Sequence, residues 1–142
     1  MTSGLEEGEE LVDDPKEIWY RHAFPDAVED RDELGAVAFR LHPTNDHGKL
    51  SGVRSSKQTA QGAFDERLIT KPRTKGTWGV SIAELTSVFL RCIDDSAVPS
   101  STPRPVGHAY VDMRTVASDR MKDLRQELAD FANDRGRLAP LD

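Results

Sequence analysis

Short apolar runs that alternate with polar residues predict several strands. In the stretch 36–41, Val37, Phe39 and Leu41 fall on one face and Arg40 falls on the other, which is the two-residue period of a strand. Similar runs lie at 50–54, 77–82, 88–93 and 108–113. Gly52 weakens the first of these as a strand. The run 88–93 fits either a strand or the end of a helix, and its β-branched and aromatic content favours a strand.

Helical spacing is clearest near the C-terminus, where apolar residues recur at intervals of three, four and three: Met121, Leu124, Leu128 and Phe131. Ser118 is placed to cap this helix and Gly136 to end it. A second helix is predicted over 55–68 with Ser55 or Ser56 as its cap. Ser81 and Glu84 have the spacing of a capping box, which predicts a short helix beginning at Ser81.

This order of elements predicts an α+β fold: a single small domain with a mixed or antiparallel sheet and a C-terminal helix packed on it. The length of 142 residues matches one domain. We expect the domain to span residues 15–142. Residues 1–14 are acidic and contain few apolar residues, so we expect them to form a flexible leader.

Charge is unevenly distributed along the chain. Residues 1–33 hold twelve acidic and three basic side chains, a net charge of −9, whereas the whole chain carries −6. The remaining residues are therefore mildly basic, at +3. This small excess does not indicate a nucleic-acid-binding protein, which usually shows a strong basic patch. An acidic segment that stays in solvent is the simplest explanation of the asymmetry.

Cellular location is predicted from what the sequence lacks. Cys92 is the single cysteine and lies in an apolar run, so an intrachain disulfide is excluded and the thiol is expected to pack in the core. The N-terminus has no signal-peptide pattern, and no apolar run approaches the roughly 20 residues of a membrane span. We therefore predict a cytoplasmic protein without a membrane anchor.

The stretch from Ala38 to Ser56 concentrates the polar side chains that suit chemistry. They are Arg40, His42, Asp46, His47, Lys49, Ser51 and Arg54. If the strands on either side of the turn pair, Arg40 and Arg54 reach one anion, and a histidine nearby serves as general acid or base. We predict Arg40, His42, Ser51 and Arg54 as ligand-binding residues. The competing interpretation is a polar strand edge and an ordinary turn.

Established motifs do not sharpen this picture. The four histidines show no metal-binding spacing, so no metal site and no cofactor are predicted. Lys49 and Ser51 lack the glycine spacing of a phosphate-binding loop, and no nucleophile elbow is present. Cys92 has no histidine near it in the sequence to activate it.

One enzymatic hypothesis stays open. Small NAD-using ADP-ribosyl transferases are mixed α+β folds with an arginine or histidine on an early strand and a late glutamate. The residues that fit these positions are Tyr20, Arg21, His22, Arg40, Ser51, Arg54 and Glu84. Within this hypothesis His22, His42 and Arg54 are the catalytic candidates. The capping box already explains Glu84.

Four motifs in order resemble a family of small uncharacterised bacterial proteins over most of residues 18–113. They are WYRHAFP, AFRLHPTNDHGKLSGVR, TWGVSIAE and GHAYVDM. The resemblance implies a bacterial, cytosolic protein from the accessory genes that include defence and toxin–immunity systems. It implies no activity and transfers no catalytic residue.

Two functions follow as hypotheses. We favour a non-enzymatic component that binds another protein, with a second copy of the chain as a further candidate partner. The charge asymmetry and the lack of a catalytic motif favour it. The alternative is a small enzyme that acts on a phosphate-bearing ligand such as NAD or RNA. It requires the candidate arginines and histidines to converge in one pocket.

Overall fold

Six strands form one antiparallel sheet in the computed structural model, which describes residues 4–29, 32–42 and 47–141. The strands are β1 (Glu10–Val12), β2 (Ile18–Ala23), β3 (Lys49–Arg54), β4 (Gly76–Ser81), β5 (Cys92–Asp94) and β6 (His108–Asp112). Their order across the sheet is β1-β5-β6-β3-β2-β4. The described residues also form three α-helices: α1 (Ala60–Thr70), α2 (Ile82–Ser87) and α3 (Met121–Arg135). The predicted α+β class is confirmed, and the sheet is antiparallel.

The main core lies between one face of the sheet and α3. Leu124 and Leu128 of the helix are fully buried against strand residues that include Trp19 and Trp78. The apolar spacing therefore predicted this helix and its buried face. Gly136 ends it with a φ of +84°. The short 3-10 turn Ser118–Arg120 precedes α3, and the Ser118 side chain forms no cap, so that detail of the prediction was wrong.

Helix α1 covers part of the opposite face of the sheet. Ala63 packs there with Tyr20 and Val53. The helix begins at Ala60 instead of near residue 55, because the Thr59 hydroxyl caps it by accepting from the Gly62 N–H of the first turn at 3.0 Å. The serines expected to cap it are engaged elsewhere in the sheet. The Ser55 hydroxyl, for example, accepts from the backbone N–H of Ile18 at 2.8 Å.

The predicted strand over 36–41 is wrong. Ala36–Phe39 forms a 3-10 turn, and a helix side chain holds the backbone just before it. Asn133 of α3 accepts from the Leu34 N–H at 2.7 Å and donates to the Leu34 carbonyl at 2.9 Å. Phe39 is fully buried, as expected, but Val37 is 48% exposed. This segment therefore rests on α3 and contributes no strand to the sheet.

The acidic N-terminal segment also departs from expectation. Glu10–Val12 pairs with β5, and Val12 is buried in the core. The Tyr110 hydroxyl donates to the Glu9 carboxylate at 2.6 Å, which holds the segment before β1 against the sheet. Residues 10–12 of the leader predicted over 1–14 are therefore paired in the sheet, with one apolar side chain in the core.

The capping box at the end of β4 is confirmed. The Ser81 hydroxyl accepts from the Glu84 N–H at 3.1 Å, and the Glu84 carboxylate accepts from the Ser81 N–H at 2.8 Å. Cys92 is buried, as expected of a core thiol. Within the described residues, no helix is long and apolar enough to cross a membrane.

Candidate functional site: a cationic cavity between two strands

Strands β2 and β3 share only a short ladder. They pair at Trp19 with Arg54 and at Tyr20 with Val53, whereas β2 pairs with β4 along all six of its residues. Arg21 is the next residue of β2. On the side that faces β3, hydrogen bonds of its side chain replace the backbone pairing. Its Nε donates to the Ala38 carbonyl at 2.9 Å and its Nη1 to the Ser51 carbonyl at 2.7 Å. The two strands therefore diverge beyond Tyr20.

Gly52 lets β3 pass close to the side chain of Trp19 and the backbone of Tyr20. A Cβ atom on Gly52 would lie 2.2 Å from Nε1 of Trp19 and 2.4 Å from the Tyr20 carbonyl oxygen. Trp19 is fully buried, and its indole N–H donates to the Ala109 carbonyl at 3.2 Å. A strand glycine that marks a close approach is a known pattern, and here the glycine makes room for a core tryptophan beside the cavity.

A cavity of about 550 Å³ opens where the two strands diverge. Its polar lining includes three arginines, three histidines and one carboxylate: Arg21, Arg40, Arg67, His22, His42, His108 and Asp26. Ser51 and the apolar side chains of Phe24, Val37 and Leu41 also line it. Among the described residues the lining is therefore cationic, with an apolar part.

The structure brings most of the predicted site residues to this cavity. Arg40, His42 and Ser51 line it together with His22 and Arg21. Other candidates lie elsewhere. Tyr20 packs under α1, Glu84 is held in its capping box, and Lys49 lies over the ring of Tyr110 at 5.1 Å. His47 is exposed in a turn away from the cavity lining. Asp46 lies outside the described residues.

Arg54 is not at the cavity but in a buried ion-pair network. Its Nε and Nη2 donate to the two carboxylate oxygens of Glu17 at 2.9 and 2.8 Å, and its Nη1 donates to Asp94 at 2.8 Å. The side chains of Glu17 and Asp94 are only 5% and 7% exposed. Ser56 and Ser96 donate further hydrogen bonds to these carboxylates. Arg54 of β3 therefore links Glu17, just before β2, to Asp94 of β5, and it does not line the cavity.

His22 is held neutral at the edge of the cavity. Its Nδ1 lies 2.6 Å from the Thr77 hydroxyl. Burial, followed by the nearby positive charges of Arg67 and Arg21, lowers the pKa of His22 to about 4. At neutral pH the ring therefore supplies a hydrogen-bonding group without a charge.

Arg67, which the sequence analysis missed, is the most unusual group of the lining. It lies on α1 with its guanidinium 5.9 Å from the ring centre of Phe24. Its Nε is buried and has no hydrogen-bond partner among the described residues, and burial lowers the pKa of this side chain. No pattern in the sequence separates it from other helical arginines.

Arg40 and Arg67 have no carboxylate within 4 Å in the part of the chain that the structure describes. Six other described arginines each have one: Arg54, Arg91, Arg104, Arg114, Arg135 and Arg137. His108, a further residue that the sequence analysis missed, lines the cavity with its Nδ1 2.6 Å from Asp95. Among the described arginines, Arg73, Arg120 and Arg125 also lack such a carboxylate but do not line the cavity. Arg40 and Arg67 are therefore two arginines without a described carboxylate partner at one cavity.

The described residues contain no group of three or more His, Cys, Asp or Glu side chains that would hold a metal ion. The late glutamate that the NAD-transferase hypothesis uses, Glu84, lies away from the cavity and accepts from Arg135 at 2.9 Å. No protein-family model, curated protein or solved structure matches the chain. The geometry of the cavity therefore carries the functional argument.

Proposed function

We propose that the protein binds a small anionic ligand in the cavity between β2 and β3. The observation that carries this proposal is a pair of arginines, Arg40 and Arg67, that line one cavity and have no carboxylate of the described residues within 4 Å. The volume of about 550 Å³ is within the range of roughly 300–1,000 Å³ that small-molecule sites occupy. Guanidinium groups suit this role because they donate several hydrogen bonds in a fixed plane to oxyanions.

The burial of Arg67 supports the same function energetically. Burial lowers the pKa of this side chain, because a guanidinium removed from water without a counter-charge is costly. An anion in contact with the guanidinium would offset that cost.

The test is isothermal titration of the purified chain with inorganic phosphate, at low and at high salt. We expect saturable binding that weakens with salt, and at least a tenfold loss of affinity in Arg67→Gln. Arg125→Gln is the matched control, because Arg125 is also a helical arginine whose Nε is buried with no partner in the described part of the chain, but it does not line the cavity. Equal affinities for the two variants, or no binding to the parent chain, would contradict the proposal.

We also propose, as a second function, that the chain binds another protein through Phe89. This side chain is 88% exposed and has a φ of +64°, a conformation that a bulky residue adopts at a cost. Exposed aromatic residues are frequent anchors of protein interfaces. The bacterial origin, the cytoplasmic location and a role in a defence or toxin–immunity system stay predictions from the sequence.

This second function is tested by affinity capture from a bacterial lysate, followed by titration of the captured protein, once purified, against the chain. Phe89→Ser should weaken the purified pair at least tenfold. Ile69→Ser should leave the affinity unchanged, since Ile69 is equally exposed but lies on α1. A partner that binds both variants equally, or no partner, would refute a contact centred on Phe89.

A further inference from the structure

Asp95 and His108 form a hydrogen-bonded pair beside the cavity. Nδ1 of His108 lies 2.6 Å from a carboxylate oxygen of Asp95, and the side chains of His108 and Asp95 are only 14% and 12% exposed. An ionised carboxylate only accepts hydrogen bonds, so Nδ1 carries a hydrogen and donates it. In the neutral ring the other nitrogen, Nε2, then has a free lone pair. The pair therefore holds His108 in the tautomer whose Nε2 accepts a proton.

Arg104 holds the loop that presents Asp95. Its Nη1 donates to the backbone carbonyls of Asp95, at 3.0 Å, and of Val98, and its Nε lies 3.9 Å from the Asp95 carboxylate. The Val98 N–H also donates to the Asp95 carbonyl at 3.0 Å. The carboxylate that orients the histidine is therefore itself supported by a second layer of contacts.

The ring of His108 stands on the wall of the cavity. His108 lines the cavity, and its hydrogen bond to a described residue is made by Nδ1, so Nε2 has no partner among those residues. Across the ladder of β6 and β3, His108 pairs with Val53 and Tyr110 pairs with Ser51. Side chains two positions apart share a face of the sheet, so the Ser51 hydroxyl and the His108 ring are diagonal neighbours. A proton acceptor and a hydroxyl therefore share one wall of the cavity.

A histidine oriented by a carboxylate is suited to general-base catalysis, in which it takes a proton from the attacking water or hydroxyl group. The anion site would hold the group under attack. A phosphate monoester gains little from such a base, because its transition state is loose and the attacking oxygen is scarcely bonded. A phosphodiester is attacked in a tighter transition state and gains more. Resting on the anion site proposed above, we propose that the chain hydrolyses a phosphodiester, with His108 as general base and Asp95 as its positioning residue.

Water is the only co-reactant that this step needs. Nε2 of His108 takes one proton from the water as the water oxygen bonds to phosphorus, and the bond from phosphorus to the leaving alcohol oxygen breaks. That oxygen keeps the electron pair and receives the proton from His108, so the products are a phosphate monoester and an alcohol. Arg40 and Arg67 would donate to the non-bridging oxygens, where negative charge develops.

Bis(p-nitrophenyl) phosphate is the probe, since its hydrolysis releases coloured p-nitrophenolate. The purified chain is assayed at neutral pH with EDTA, which silences contaminating metal-dependent phosphodiesterases. We expect saturable hydrolysis above the buffer rate. His108→Gln should lower kcat by about 100-fold or more, and Asp95→Asn by about tenfold or more. His47→Gln is the matched control, because His47 is exposed and lies outside the cavity lining, and its kcat should equal that of the parent.

Nitrogen-15 NMR of the His108 ring separates a positioning role of Asp95 from a merely structural one. In the parent chain Nδ1 should carry the hydrogen. In Asp95→Asn the fixed tautomer should be lost, because an amide donates to Nδ1 as well as accepting from it. Urea unfolding checks that each variant is folded under the assay conditions. A parent ring with its hydrogen on Nε2, or an unchanged tautomer in Asp95→Asn, would overturn the positioning role.

The failures of the two proposals are distinguishable. If the diester is not hydrolysed, or if His108→Gln keeps the parent's rate, the catalytic proposal is overturned, and the anion site stands as long as phosphate binding depends on Arg67. If p-nitrophenyl phosphate is accelerated over its buffer rate as much as the diester, the choice of a diester is overturned. If hydrolysis depends on His108 but KM is unchanged in Arg67→Gln, the anion site fails and the general base stands.

Discussion

Replacing Arg54 with alanine would leave two buried carboxylates, those of Glu17 and Asp94, without the arginine that joins them. Both carboxylates retain hydrogen bonds from serines, but no positive charge remains within the network. Loss of one partner of a buried ion pair typically costs about 3–5 kcal/mol, since the remaining charge stays desolvated. We expect a loss of that size at pH 7. Arg54→Lys, which keeps the charge but not the two-pronged contact with Glu17, should lose about 1–3 kcal/mol.

The pH dependence makes this prediction specific. Burial would raise the pKa of Glu17 and of Asp94, but hydrogen bonds from Arg54 and the serines outweigh it and lower both pKa values. In the parent chain the network therefore stabilises the fold above the ordinary pKa values of 4.5 and 3.8, and this contribution is lost as the pH falls below them. In Arg54→Ala burial dominates, so protonation relieves the defect. The difference in unfolding free energy should narrow as the pH falls from 7 to 3.

Urea unfolding followed by circular dichroism measures the effect. For a domain of this size a loss of 3–5 kcal/mol lowers the unfolding midpoint by roughly 2 M urea. Arg91→Ala is the matched control, because Asp112 keeps Arg114 at 2.9 Å when Arg91 is removed; its loss should stay under about 1 kcal/mol. A loss in Arg54→Ala below 1 kcal/mol, or one that does not depend on pH, would refute a buried network. Phosphate affinity should be unchanged in the folded Arg54→Lys variant.

Three further predictions concern stability. Gly52→Ala should lower the unfolding free energy by about 3 kcal/mol in urea, because its Cβ would meet Trp19 at 2.2 Å and disturb the indole hydrogen bond; a loss below 1 kcal/mol would show that Trp19 moves aside. Phe89→Gly should increase the free energy of unfolding by about 0.5–1 kcal/mol and so raise the melting temperature, because relief of the left-handed conformation exceeds the entropy cost of glycine. A lower melting temperature would contradict this. The lowered pKa of His22 means that the folded chain resists protonation, so the parent should lose about 2 kcal/mol more than His22→Gln between pH 7 and 4.5; parallel pH profiles in urea unfolding would refute it.

Local patterns predicted the elements whose partners lie nearby in sequence. The capping box of Ser81 and Glu84 needs only three residues of spacing, and α3 was marked by one apolar stripe. The strand prediction over 36–41 was wrong because Asn133, almost a hundred residues later in the chain, sets the environment of this segment. The apolar alternation there is compatible with a strand, but the contact with α3 fixes a 3-10 turn. Tertiary contacts of this kind override the local period.

The candidate site divides in the same way. Arg40, His42 and Ser51 line one cavity. Arg54, only three residues after Ser51, pairs with Trp19 in the ladder and has its side chain outside that cavity. Ser51 and Arg54 both lie in β3, and the two-residue period of a strand sends side chains three positions apart to opposite faces of the sheet. Arg67 was missed because a lone arginine in a helix is ordinary until its neighbours are known.

The structure also changes what the charge asymmetry means. The acidic segment does not simply remain in solvent, because Glu17 neutralises Arg54 and Glu9 accepts from Tyr110. Acidic side chains from the first part of the chain are therefore used inside the fold. For binding, the net charge of +3 on residues 34–142 therefore matters less than which arginines the carboxylates leave unpaired. Arg40 and Arg67 are left in this way at one cavity, which is why we propose an anion site there although the net charge of the chain is negative.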